Sequence, residues 1–268
     1  MIALPISERR RLLSAAREMS EAARRVILAK AQNGFRVRTK PDSSFVTDAD
    51  LAAEKSFRAE ISRRYPDHGI LGEELPAVNP DSPYQWILDP IDGTLSFTRG
   101  IPLYGSILGL FHEGLPVVGV IDHPALKERF SAGAGLGAWR NQDKLRLKKN
   151  GRSPEEEIVA TGDRGHFKKM GREAEYDRLL LRHPQVRSYA DCFGHTLAFS
   201  GAIGAMVDYG IRVWDLAASQ VLIEEAGGRY LGLERQGDGA SAFHGIILGR
   251  PEVVEWLEGL FAPAEAAA

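Results

Sequence analysis

Cysteine is almost absent from this sequence. Cys192 is the only one in 268 residues, so neither an intramolecular disulfide framework nor a zinc site built on several cysteines can form. Such usage fits a reducing compartment. Long apolar runs are missing too: no stretch approaches the roughly 20 residues needed to span a bilayer. The N-terminus lacks the charged-then-apolar pattern of a secretory signal, so the expectation is a cytoplasmic protein with no membrane partner. Nor is there an excess of one charge. Thirty-four basic residues against 36 acidic ones give a formal charge of -2, which removes the broad field of a nucleic-acid wrapper and favours a compact ligand. Internal repeats and low-complexity tracts are lacking, apart from an Ala-rich tail at 262–268 that is expected to fray.

What is present is a hydrophobic content of 44%, enough to bury a full core as one large domain or two closely packed halves. Residues 7–31 are arginine-rich, but Glu8, Glu18 and Glu21 break up the positive charge of what would otherwise resemble a transit peptide. Leu12, Ala15, Ala16, Met19, Ala23, Val26 and Ile27 recur at helical spacing. The segment therefore reads as an amphipathic helix with most of its arginines on a solvated face, in preference to a membrane or nucleic-acid site. A second helix starts near Thr47 or Asp48 and stops before Pro66. Apolar runs at 85–88, 105–111, 117–121 and 129–131, separated by turn signals such as Glu113-Gly114, predict a largely antiparallel sheet. Beyond about Asn150 the pattern alternates. Strands are expected at 158–160, 186–189 and 206–207, helices at 168–181, 194–200 and 215–226, then two more strands and a closing helix. Mixed α/β layers follow, with halves of about 1–150 and 151–268.

The chemistry concentrates in Trp86-Ile-Leu-Asp-Pro-Ile-Asp-Gly-Thr94, an apolar strand that ends in two aspartates. Asp89 and Asp92 are hard oxygen donors suited to Mg²⁺, Pro90 fixes the turn, and the Ile91 carbonyl offers another oxygen. Gly93 lets the backbone approach a ligand. A helix starting at Thr94 would aim free N–H groups at a phosphate. The same residues also read as an ordinary turn. Glu73 and Glu74 follow the apolar Ile70-Leu71 and likewise read as a strand-end carboxylate or as surface charge. Asp215, before the apolar run from Leu216 to Ile223, reads as a ligand or as an N-cap.

Gly-Glu-Glu at 72–74, Asp-Pro-Ile-Asp-Gly-Thr at 89–94 and Trp-Asp at 214–215, in that order, resemble the inositol monophosphatase superfamily. These are magnesium-dependent, often lithium-sensitive phosphatases, and the similarity runs from about Ser14 to Gly249. The resemblance implies a layered αβαβα sandwich, a homodimer, and two or three Mg²⁺ ions held by Glu73, Asp89, the Ile91 carbonyl, Asp92 and Asp215. It also implies phosphate contacts from Gly93 and Thr94. Val-Thr-Asp-Ala-Asp at 46–50 matches a segment whose last aspartate pairs with the threonine at the position of Thr94. Asp50, Thr94 and Glu73 would then orient or deprotonate the attacking water, with Glu74 behind them. Asp50 reads otherwise as a helix-start residue. Cys192 lies in no nucleophile motif, and none is required.

Tyr-Ala-Asp-Cys-Phe at 189–193 and Asp-Gly-Thr-Leu-Ser-Phe-Thr-Arg-Gly at 92–100 look more like the histidinol-phosphatase branch than the inositol branch. Asp191 would meet a cationic amine or imidazolium, or else merely cap a helix beginning near Phe193. Asp208 matches a position that contacts the substrate's polar groups, as Asp215 also would. His195 has no ligand-spaced partner and reads as a helix residue; Arg99 reads equally as an anion contact or as surface. The resemblance thus implies hydrolysis of histidinol phosphate. Inositol or sugar phosphates are the rival substrates, and an RNA or transcription-complex binding protein of the same fold is the rival from another class.

Overall fold

A computed structural model describes residues 4–41 and 44–261; the tail expected to fray lies outside the described residues. The chain runs through α1 (Ile6–Asn33), the hairpin β1 (Val37–Thr39) and β2 (Phe45–Thr47), and α2 (Asp48–Arg64). Next come β3 (Gly69–Gly72), β4 (Tyr84–Asp92), the short α3 (Thr94–Thr98), β5 (Gly105–His112) and β6 (Leu115–His123). The strands β7 (Glu128–Gly133), β8 (Gly137–Arg140) and β9 (Asp143–Leu145) complete the first sheet. After a linker follow β10 (Val159–Thr161), α4 (Arg164–Lys169), α5 (Glu173–Arg182), β11 (Val186–Ser188), α6 (Asp191–Ser200) and β12 (Ala205–Ile211). The chain closes with α7 (Val213–Leu216), α8 (Ser219–Glu225), β13 (Arg229–Gln236), β14 (Phe243–Gly249) and α9 (Pro251–Phe261).

Local signals explain most boundaries. Thr47 caps α2 in a reciprocal box with Asp50, which satisfies N–H groups that the helix start leaves free. α1 ends where Gly34 takes φ 90°, a conformation that only glycine adopts cheaply. Three expected helices need correction. The single helix over 168–181 is two, α4 and α5, because Gly171 turns to φ 67° between them. The helix expected over 215–226 begins at Val213 and is interrupted between Leu216 and Ser219, so Asp215 is not its N-cap. The helix expected from Gly194 begins at Asp191, and the strand over 206–207 extends to 205–211. The hairpin of β1 and β2 was not anticipated, since strands of three residues, those of β1 all exposed, are too short to show an apolar alternation.

Five layers result. α1 and α2 lay Leu12, Ala16, Met19 and Phe57 on one face of the seven-stranded sheet, against Trp86, Leu88, Leu108 and Val120. That sheet is antiparallel except where β3 pairs with β4. Its other face, with Ile87, Ile107, Ile121 and Phe130, packs on α6 and α8, which also cover Met206, Ile246 and Leu248 of the five-stranded sheet. Phe167, Leu179, Val254 and Leu257 of α4, α5 and α9 close the far side over Val159, Val207 and Ile247. The order helix, sheet, helix, sheet, helix is the αβαβα sandwich. The middle helices touch the first sheet closely because β5 and β6 carry glycine there: a Cβ at Gly109 would lie 2.0 Å from the Ala217 carbonyl oxygen.

Candidate active site

In a regular strand, residues three apart face opposite sides of the sheet. β4 departs from this. It pairs with β5 up to Asp89 opposite Ile107 and resumes at Asp92 opposite Gly105, so one extra residue is accommodated between them. This β-bulge, at a proline that has no N–H to contribute, re-aims the second aspartate. Asp89 and Asp92 therefore both face the middle helices, where α7 brings in Asp215. One oxygen from each of the three carboxylates falls within 4.8 Å of the others.

The surrounding cavity of about 540 Å³ is lined by Glu73, Asp89, Ile91, Asp92, Gly93, Thr94, Asp191, His195, Asp208 and Asp215, among others. Glu73 lines the same cavity but stands apart from the three-carboxylate cluster. Its Oε1 accepts from Lys40 Nζ at 2.6 Å, and the same ammonium donates to Glu74 at 2.7 Å. The turn that presents Glu73 is held from beneath by the buried Glu54, whose carboxylate accepts the backbone N–H groups of Glu74 and Leu75. Asp50 is buried and fixed by the Thr47 backbone N–H and hydroxyl. The Thr94 hydroxyl lies 3.4 Å from Asp50 Oδ1 and 3.0 Å from the Ile91 carbonyl oxygen. Gly93 takes φ 82°, where a Cβ would sit 3.0 Å from the Leu103 carbonyl and 3.1 Å from Asp191 Oδ2.

The opposite wall comes from the second sheet and α6. Asp208 is buried, accepts its neighbour's N–H from Tyr209, and lies 3.4 Å from His195 Nε2 and 4.0 Å from His166 Nδ1. His195 in turn meets the Ser219 hydroxyl at 2.8 Å. Asp191 does not cap α6. The cap position is Ala190, and Asp191 sits in the first turn with φ 59°, a left-handed conformation that aspartate tolerates better than most residues. Among the described residues its carboxylate has neither a hydrogen bond nor an ion pair. Arg99 is exposed and does not line the cavity. Cys192 is buried, its backbone N–H donating to Asp92.

So many carboxylates in one buried place resist ionising together. Burial, then Glu73, Asp92 and Asp215, pushes Asp89 well up from the ordinary aspartate range. Burial and the charges of Asp191 and Asp215 do the same to Asp92. Burial raises Asp215 to about 7 against the lowering effect of the Arg212 N–H. Burial likewise raises Asp50 to about 6, Glu74 to about 7 and Asp191 to about 6. Asp208 alone moves down: the two histidines outweigh burial, and Asp208 raises His166 in return. A divalent cation reverses this logic, because it makes the ionised carboxylate the favoured form. Three converging oxygens with a carbonyl beside them suit a hard cation such as Mg²⁺.

Asp89 and Asp92 of β4 and Asp215 of α7 thus meet in space, with Glu73, Asp50, Thr94, Asp191 and Asp208 around them. Three participants lay outside the sequence reading: Lys40, Glu54 and His166. Lys40 and Glu54 carry no local motif, being 33 and 20 residues from the acidic turn they touch. His166 follows a glycine in a polar stretch, and its only signal was the helix start at Asp163, which accepts its N–H.

The model of the inositol monophosphatase family matches residues 8–264. The histidinol-phosphatase of Mycobacterium tuberculosis is 36% identical over 215 residues, covering 79% of this chain and 81% of that protein. The inositol-1-monophosphatase of Mesorhizobium japonicum is 33% identical over 203 residues, covering 72% and 74%. Among solved structures, the extragenic suppressor protein suhB of Bartonella henselae superposes with a TM-score of 0.82 at 26% identity, covering 94% of this chain and 99% of that one. With the acidic cavity and the five-layer sandwich, these matches establish that the chain belongs to the inositol monophosphatase family and is a metal-dependent phosphoric monoester hydrolase.

Proposed function

We propose that this phosphatase hydrolyses histidinol phosphate, using two or three Mg²⁺ ions held by Glu73, Asp89, the Ile91 carbonyl, Asp92 and Asp215. The observation that carries the substrate is the Asp191 carboxylate. It lines the cavity beside the phosphate-side turn at Gly93 with neither a hydrogen bond nor an ion pair among the described residues, and a partly buried carboxylate with no direct partner is costly unless a cation meets it. An amine or imidazolium on the leaving group supplies that cation, whereas an inositol ring does not. Two relatives at 36% identity are named histidinol-phosphatases, which supports the same substrate.

When bound, the ions supply positive charge that offsets the repulsion between a phosphate dianion and an attacking oxygen. The chain's own groups then position and move protons. Asp50, fixed at one oxygen by Thr47, presents its other oxygen to the Thr94 hydroxyl, and together they orient the attacking water and take its proton. Gly93 and the first N–H groups after it receive the phosphate oxygens; the turn that presents them needs glycine, since at φ 82° a Cβ would crowd the Leu103 carbonyl and Asp191. Asp208 is held by His195 and His166 and faces the polar end of the leaving group.

Phosphate release from histidinol phosphate, inositol 1-phosphate and glucose 6-phosphate, with Mg²⁺, tests this directly. Histidinol phosphate is expected to have the highest kcat/KM. Equal or greater activity on inositol phosphate would overturn the assignment while leaving the phosphatase itself intact. A homodimer in the cytoplasm is the accompanying expectation, and light scattering measures the former.

A further inference from the structure

Asparagine followed by glycine occurs twice, at Asn33-Gly34 and Asn150-Gly151. The pair carries chemistry of its own. Glycine has no Cβ to hinder its backbone nitrogen, so that nitrogen can attack the carboxamide of the residue before it. The attack forms an N–Cγ bond and breaks Cγ–Nδ2, so that ammonia leaves with the amide proton and a succinimide ring remains. Water then opens the ring. Opening at Cγ gives aspartate, and opening at the main-chain carbonyl gives isoaspartate, with one more carbon in the backbone. The reaction needs a carboxamide free to turn and an N–H free to lose its proton, and folding decides both.

Asn150 is held at both ends. Its Nδ2 donates to Glu157 Oε1, and its Oδ1 accepts the Arg152 N–H at 3.1 Å, a local turn of the kind asparagine favours. Glu157 is itself buried and paired with Arg250, so it is not free to follow a moving carboxamide. Asn33 differs on each count. It is the last residue of α1, it is exposed, and among the described residues its carboxamide makes no hydrogen bond. Gly34 is exposed too, takes φ 90° with nothing within 4 Å of where a Cβ would stand, and its N–H has no backbone acceptor among the described residues. By contrast, Tyr65 at the end of α2 donates to the Ile61 carbonyl. A helix end that lacks this bond turns about its last residue at little cost, which brings the Gly34 nitrogen to the Asn33 carboxamide.

We propose that Asn33 is a site of spontaneous deamidation and isoaspartate formation in the folded protein, and that Asn150, with the same neighbour, is spared. The site is a joint. Phe35, two residues on, lays its ring 4.6 Å from that of Phe97 in α3, and the hairpin beyond it brings Lys40 to Glu73. A new negative charge at the carbonyl end of α1 opposes the helix dipole, and isoaspartate also lengthens the chain that leads to Phe35.

The test ages the full chain in mildly alkaline buffer, both native and in guanidinium chloride. Peptide mapping by mass spectrometry follows deamidation at each asparagine, and methylation by an isoaspartyl methyltransferase identifies the isoaspartate. In the native chain Asn33 is expected to convert at least about tenfold faster than Asn150, because freeing Asn150 from a hydrogen bond to a carboxylate alone costs about that factor. In guanidinium chloride the two are expected to convert at similar rates, since the fold no longer separates them. Equal native rates, or faster conversion at Asn150, overturn the proposal. So does an Asn33 that stays intact while the unfolded chain converts, and so does a gap that persists undiminished after unfolding, which would make local sequence the cause.

Discussion

Asp92 and Asp191 lie on the same cavity, yet their replacement should have opposite signatures. Asp92→Asn removes charge from the acidic cluster with little change of volume. Loss of groups that merely orient metal ligands costs 10-fold to 100-fold, so turnover should fall by at least about 100-fold, checked by phosphate release at saturating Mg²⁺. Because burial and the neighbouring aspartates already disfavour its charge, the metal-free variant should melt at or above the wild type. Unaltered turnover would remove Asp92 from the ligand set. Asp191→Asn should spare the chemical step. A hydrogen bond to a charged group contributes about 1.5–3 kcal/mol, so KM for a cationic ester should rise roughly 10-fold to 100-fold. A neutral ester should change far less, and equal shifts across the ester panel would reduce Asp191 to a structural residue. The single residues that sequence could not reveal, Lys40 and Glu54, act through neighbours on other elements. Neither an ammonium bridging Glu73 and Glu74 nor a buried carboxylate under their turn leaves a local pattern.

At the level of elements, the site depends on how closely the middle helices approach the first sheet. β5 has glycine at 109, where a Cβ would sit 2.0 Å from the Ala217 carbonyl oxygen, directly after the helix that carries Asp215. Gly109→Ala should therefore lower stability by about 1–3 kcal/mol, the usual cost of overpacking, read from the denaturant midpoint. It should also weaken Mg²⁺ activation by shifting Asp215 relative to Asp89. Full Mg²⁺ affinity in a destabilised variant would show that α7 tolerates the shift. The elements themselves were unevenly legible. The long amphipathic α1 and the strands of the first sheet announce their period in the sequence, as does the cap of α2. The break after Leu216 does not, because apolar residues continue across it and packing against β5 decides where the helix stops; the break at Gly171 rests on one glycine in a polar stretch, whose turn to φ 67° only the fold shows.

For the whole molecule, the concentration of buried acids ties stability to pH and metal together. Free aspartate and glutamate titrate near 4, whereas Asp50 and Asp191 are raised to about 6 and Glu74 and Asp215 to about 7. Without metal the folded state holds protons that the unfolded chain has released. Their contribution to stability is complete below about pH 4 and is lost as pH rises through 6 to 7. The EDTA-treated protein should thus melt at progressively lower temperature from pH 5 to pH 8. Mg²⁺ should raise the midpoint more at pH 8 than at pH 5, since protons compete for the same oxygens. A melting temperature that is flat with pH in EDTA would mean the acids are not forced together as described. No helix among the described residues is long and apolar enough to cross a membrane.

By itself the sequence determined mixed α/β layers through periodicity, and three ordered motifs carried the resemblance that implied the αβαβα sandwich. It also supplied the candidate donors Asp89, Asp92 and Asp215, because carboxylates that end an apolar strand or precede an apolar run are local events along a chain. Only the tertiary structure decided that a bulge at Pro90 turns both strand aspartates to one side and that Asp191 stands unpaired in the cavity. Each of these is a relation between elements far apart in sequence. Whether a charge is satisfied depends on what the folded chain places beside it, which no stretch of neighbouring residues encodes.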